Sequence, residues 1–370
     1  MLKKRILSFL GAAALTAALT FAVVSLSPSN GFTSGSMQEG MSYEVCGVSP
    51  DAIVASLDGN GASADLITYW IGYNATYLNS YMQYYGGGAL DWDYVMSDGT
   101  TMPDYIKQDV LATVKQELLI ENLAKKYGVT LTDEQRAAIE SEEQSFIEQY
   151  GSEEAFEEEL AKLGLRRETY ERITSANYLY QNLYKLYLTE GSALYASNED
   201  LAAYAAAQGY ITADHILLTT VDTATGEALS DEAIAEKKAL AEELAEKLKN
   251  YTGDDLASYF AELADEYSED PGRASNPTGY TFTTGSMVKE FEDAAYALDE
   301  GAVSDIVESS FGYHILLRLP LDKTAAAENV REAYFTNLID TQLEKAVIAT
   351  SEQFSALDAK ALYEAIAAAQ

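Results

Sequence analysis

The chain has 370 residues, 48% of them apolar, which is enough to bury cores in two or three domains and excludes disorder throughout. Its 59 Asp and Glu against 24 Lys and Arg give a formal charge of -35, and no basic patch follows the first five residues, so nucleic acid is excluded as a partner. One cysteine, Cys46, and two histidines, His215 and His314, exclude a disulfide framework, a cysteine-rich zinc site and a three-histidine metal centre.

Lys3, Lys4 and Arg5 precede an uncharged apolar run from Ile6 to Leu26, which Ser27-Pro28-Ser29-Asn30-Gly31 then breaks. This order predicts export. At 1.5 Å per residue the run just spans a hydrocarbon core of roughly 30 Å, so residues 1–30 read either as a cleaved signal peptide or, through residues 6–26, as a membrane anchor. Residues 31–49, rich in Gly and Ser at first, read as a linker. Cys46 lies too far beyond the run for a lipid attachment and reads as a free or buried thiol.

Tyr69, Tyr73, Tyr77, Tyr81 and Tyr85 recur every four positions between Ser63 and Tyr85, which is helical spacing. The stripe serves either as a core-facing seam or as a partly exposed cradle for unfolded polypeptide. Further helices are predicted over 102–127, from the Thr132 cap to Tyr150, and over 152–163, 166–188 and 198–207. Residues 50–208 thus read as an all-helical domain. At Gly209 the pattern changes: strands are expected at 210–218, 303–308 and 313–319, and helices at 231–249, 254–267 and 287–298. Residues 209–321 form an α/β module, and residues 322–370 return to helices that pack back on the first domain, with no strand signal. The fold class is α+β, with the module inserted into a helical domain.

Both histidines lie in predicted strands of this module. His215 alternates with Ala213 and Leu217, and His314 with Leu316, so each projects from one sheet face and the two can converge. The surrounding segments carry a resemblance. Ala213-Asp214-His215-Ile216-Leu217, Tyr267-Ser268-Glu269-Asp270, the stretch from Gly279 through Phe282, Gly285, Met287 and Phe291 to Ala294, Gly301-Ala302-Val303-Ser304 and Phe311-Gly312-Tyr313-His314-Ile315 together resemble the parvulin-type peptidyl-prolyl isomerases, in motif order and spacing. The segment from Ala52 to Asn60 and the flanking helices resemble the chaperone part of the extracytoplasmic foldases of the PrsA and SurA kind.

The resemblance implies a catalytic network of His215, Asp270, His314 and Ser309, and a proline pocket walled by Phe282, Met287 and Phe291, with no metal and no cofactor. It also implies exported, unfolded polypeptides containing X-Pro bonds as partners, and a homodimer is one option for the assembly. Asn276-Pro277-Thr278-Gly279 stands where the family often has Gly-Asp-Leu-Gly, and the loop 219–236 has no Arg or Lys to select a phosphate. The chemistry suits the residues. Rotating an X-Pro bond meets an amide barrier of about 18–20 kcal/mol and makes or breaks no bond, so an apolar slot that favours the twisted amide suffices. Two rivals are a holdase with a catalytically weak module, and an acidic hydrolase using Glu269 and Asp270.

Overall fold

The computed structural model describes residues 24–25, 31–222 and 224–370, so nearly all of the apolar run at 6–26 lies outside the described residues. Among the described residues no helix is long and apolar enough to cross a membrane. The described chain divides into two units, one made of residues up to 195 together with 338–370, the other of residues 196–337.

The first unit is not all-helical. Asp58 and Gly59 both take positive φ, 50° and 83°, and form a two-residue turn that joins strand β1 (Ile53–Leu57) to β2 (Asn60–Ser63) as a tight hairpin. An Asp-Gly pair is the residue choice for such a turn, because Gly accepts the left-handed conformation at no steric cost. The tail, expected to lack strands, supplies one to the same sheet: Ala349 and Thr350 pair antiparallel with Ser56 and Ala55. Residues 31–49 also depart from a plain linker. They contain helix α1 (Met41–Cys46), and Asp51 accepts from the amides of Ser36 and Met37, which ties the segment down. Cys46 is free and half-buried, and burial pushes its thiol up.

Helix α2 (Ala64–Tyr81) carries the tyrosine stripe and continues into a π-helical turn, Met82–Gly86. The stripe divides: Tyr69 is buried, whereas Tyr77, Tyr81 and Tyr85 are 54%, 50% and 71% exposed. Helices α3 (Met102–Tyr127), α4 (Asp133–Tyr150), α5 (Glu153–Ala161) and α6 (Arg167–Tyr187) follow, with α4 opened by a capping box between Thr132 and Gln135.

The second unit opens with α7 (Asn198–Ala207) and closes within α11 (Lys323–Lys345), so it reaches past the sequence boundaries of 208 and 322. Tyr204 and Tyr334 meet edge to face at 5.1 Å, and Lys323 pairs with Glu199, contacts between the two flanks that no local pattern announces. Between them lie β3 (Ile211–Thr219), α8 (Asp231–Lys249), α9 (Leu256–Tyr267), β4 (Tyr280–Phe282), α10 (Lys289–Ala297), β5 (Val307–Ser309) and β6 (Gly312–Leu319). The sheet is antiparallel in the order β4-β3-β6-β5. β3 is buried at every position, which its run of Ile, Ala and Leu anticipates for a strand covered on both faces. One face, with Ile216, Leu218, Ile315 and Leu317, packs on Leu244, Leu248 and Phe260 of α8 and α9. The opposite face, with Ile211, Ala213 and Leu316, packs on Phe282, Phe291 and Ala295.

Candidate active site

Strand register places the histidines. In the antiparallel pair β3–β6, His215 lies opposite Leu316 and His314 opposite Leu217. Since partners and every second residue share a face, both histidines project on the Phe291 side as diagonal neighbours. Their ring centroids are 5.4 Å apart, and both side chains are buried.

Asp270 arrives from the end of α9. β4 pairs only with residues 211–213 of β3, leaving the outer edge of β3 open further along. The chain after α9 fills that edge: the Glu269 amide donates to Leu217 O at 2.8 Å, and the Leu217 amide donates to Ser268 Oγ at 3.1 Å. Asp270 is thereby delivered to His215, with Oδ2 3.1 Å from Nε2 in a contact not aligned as a straight hydrogen bond. The Gly272 amide donates to Oδ1 at 3.0 Å and the Tyr280 hydroxyl to Oδ2 at 2.5 Å. Burial alone would raise this carboxyl, but His215, Tyr280 and Gly272 outweigh it and hold Asp270 well below the usual carboxylate range. Burial and the bond to Asp270 push the Tyr280 phenol up.

Glu269 points elsewhere. Its Oε2 accepts from the Thr219 amide and hydroxyl at 2.8 and 3.0 Å, and its other oxygen pairs with Lys237. It braces β3 against α8, so the carboxylate dyad of the hydrolase rival is absent. On the far face Asp214 lies 2.8 Å from Arg273, whose Nε donates to Asp265 at the same distance. Arg273 thus pins the loop after Asp270 to the residue preceding His215.

The apolar side of the site is aromatic. Phe291 presents its ring edge-on to His215 at 5.1 Å and to His314 at 5.7 Å, and Phe282 lies 5.6 Å from Phe291. Phe282 and Phe291 are 3% and 2% exposed, and half-buried Met287 packs on the same cluster. Glu292 accepts from the amides of Ser286 and Met287 at 3.0 and 3.4 Å, fixing the turn that carries Met287. Ser309 Oγ lies 2.7 Å from His314 Nε2 and accepts from the Phe311 amide at 3.1 Å. Burial pushes His314 down to about 4, and the neighbouring His215 adds to the depression, so the ring is neutral at pH 7.

All seven side chains expected at the site therefore meet within one face of one sheet. Tyr280 was not among them, although Gly279-Tyr280-Thr281-Phe282 alternates as a strand next to Asp270 in the finished fold. Among the described residues no cluster of three His, Cys, Asp or Glu side chains is placed to hold a metal ion. What the arrangement can do is grip an apolar ring beside buried imidazoles: His215 Nδ1 and His314 Nδ1 have no hydrogen-bond partner and can engage a polar group that enters with an apolar one.

Residues 215–319 match the rotamase family described as the PPIC-type PPIase domain. The chain is similar to the foldase protein PrsA of Geobacillus sp. (strain WCH70), with 38% identity over 121 residues, 32% of this chain and 43% of the relative. It is also similar to the foldase protein PrsA of Staphylococcus aureus (strain bovine RF122 / ET3-1), with 27% identity over 248 residues, 66% of this chain and 69% of the relative. The first match spans less than half of that relative's own length. A solved structure, NmPin, the parvulin of Nitrosopumilus maritimus, is 36% identical, with 30% of this chain and 96% of that one covered, at a TM-score of 0.21.

Proposed function

We propose that this chain, residues 215–319 of which belong to the PPIC-type peptidyl-prolyl isomerases, is an exported foldase that catalyses cis/trans isomerisation of X-Pro bonds in unfolded polypeptides. The observation that carries the reading is the convergence of His215, His314 and Asp270 on one side of Phe291, with an apolar cluster on the other. Phe282, Met287 and Phe291 hold the proline ring. His215, Asp270, His314 and Ser309 form a polar wall beside the twisting amide, whose carbonyl and nitrogen have lost their conjugation. None of them acts as a nucleophile, since no covalent bond changes. The basic start and apolar run of residues 3–26 support export, and the same run offers a membrane anchor if it is not cleaved.

Cis/trans exchange in a series of Ala-Pro peptides, followed by NMR with the whole chain, tests the proposal. Acceleration that falls in His215→Ala and Asp270→Ala supports it; a folded chain that accelerates no peptide in the series sinks it. A second reading, a holdase with a weak isomerase, is favoured by the tyrosines at the end of α2, where Tyr84 and Tyr85 are 81% and 71% exposed beside Tyr81. Aromatic side chains offer large contact areas at low entropy cost to a non-native chain. Suppression of aggregation of a denatured test protein that persists in His215→Ala but is lost when Tyr81, Tyr84 and Tyr85 become Ser would establish that role. Equal suppression by both variants would remove it.

A further inference from the structure

Resting on the isomerase reading, we propose that Tyr280 is a positioning residue of the site, its hydroxyl holding the Asp270 carboxylate in the orientation that turns Oδ2 toward His215. The hydroxyl donates to Oδ2 at 2.5 Å, the same oxygen that stands 3.1 Å from His215 Nε2, and the tyrosine ring lies 5.5 Å from the imidazole. The other carboxylate oxygen is taken by the Gly272 amide at 3.0 Å, so Asp270 is held at both ends and cannot swing away without losing a bond.

A second, independent feature makes room for this contact. A Cβ on Gly272 would stand 2.1 Å from the Tyr280 hydroxyl oxygen, closer than any two such atoms can approach. The loop therefore carries no side chain at a position where a Cβ would crowd the phenol. The ring itself is fixed by β4, where Tyr280 pairs with Ala213, two residues before His215 on β3.

The consequence falls on the tautomer of His215. The Oδ2 contact to Nε2 at 3.1 Å is not aligned as a hydrogen bond, but the negative carboxylate still favours a proton over a lone pair on the nearer ring nitrogen. Asp270 held in place thus favours, for the uncharged ring, the tautomer with its proton on Nε2, and leaves Nδ1 without a partner. Without the phenol hydroxyl the carboxylate loses a charge-assisted bond, its orientation relaxes, and the proton distributes over both nitrogens.

Tyr280→Phe keeps the ring and removes only the hydroxyl. In the whole chain this variant is expected to lower peptide exchange by about tenfold, the rate equivalent of one hydrogen bond to a charged group. The 15N spectrum of His215 is expected to move from a single Nε2–H tautomer to a mixture, and Gly272→Ala should reproduce both changes with Tyr280 still present. A merely structural role for Tyr280 would leave the tautomer alone. Wild-type rate together with a wild-type His215 spectrum in Tyr280→Phe overturns the proposal. If the wild type catalyses nothing, the isomerase reading fails, and the tautomer shift alone then decides whether Tyr280 positions Asp270.

Discussion

The two faces of the β4-β3-β6-β5 sheet are built from alternate residues of the same strands, yet they obey different rules. One face, Ile216, Leu218, Ile315 and Leu317 under α8 and α9, is an ordinary apolar core around fully buried Phe260. The other places two imidazoles and a carboxylate among Phe282, Phe291 and Leu316, and leaves buried ring nitrogens without partners. Native cores rarely tolerate such orphans, and where they persist they mark a surface organised for a ligand rather than for stability. The apolar face holds the unit together so that the polar face can carry groups that contribute little to folding.

The largest effect should therefore come from the face without chemistry. Phe260→Ala is expected to cost about 4 kcal/mol in the unfolding of residues 196–337, read from amide exchange of β3 and β6. A smaller cost would mean that the two faces share the load. Next is a pH dependence confined to the polar face. Folded His314 takes up its proton near pH 4 and the unfolded ring near 6.5, so between these values the unfolded chain binds the extra proton and stability rises with pH. The gain is about 3 kcal/mol, complete above pH 6.5 and lost as pH falls toward 4. It should vanish in His314→Phe, and its survival there would place the titrating group elsewhere.

Asp270→Ala should slow peptide exchange by about a hundredfold while leaving the apolar face protected against amide exchange, the signature of a residue that serves function more than folding. Simultaneous loss of rate and protection would break the contrast between the faces. The smallest effect belongs to Ser309→Ala, which removes the hydroxyl 2.7 Å from His314 Nε2 and should cost about 1 kcal/mol in stability and a few-fold in rate. An unchanged rate would confine the working network to His215, His314 and Asp270.

Much of this face was legible because period-two alternation in two long strands fixes which residues share it. Alternation set His215 and His314 each on one face of its own strand, so that the two could converge, and the resemblance supplied Asp270, Ser309 and the aromatic wall. Tyr280 escaped because its role depends on a hydrogen bond across a ten-residue loop, and β4 is only three residues long. The hairpin β1–β2 escaped for a different reason: its strands are rich in Ala, Gly and Ser, and only Asp58-Gly59 announces it. The tyrosine stripe shows the limit of periodicity. Spacing of four fixes the helix, but burial at Tyr69 and exposure at Tyr85 depend on which other elements run alongside each end of α2.

The hairpin in the first unit bears on the order in which the molecule matures. Ser56 of β1 pairs with Ala349, a partner delivered only after the whole second unit has been made, whereas β3 and β6 lie within one continuous stretch. On a chain that emerges from its amino end, the second unit can close while β1 still exposes an unpaired edge. Pulse-labelled amide exchange should then find protection in β3 and β6 before Ser56, and the reverse order would show that the first unit assembles without waiting for its tail. On this account the second unit, with its candidate site, is complete before the first.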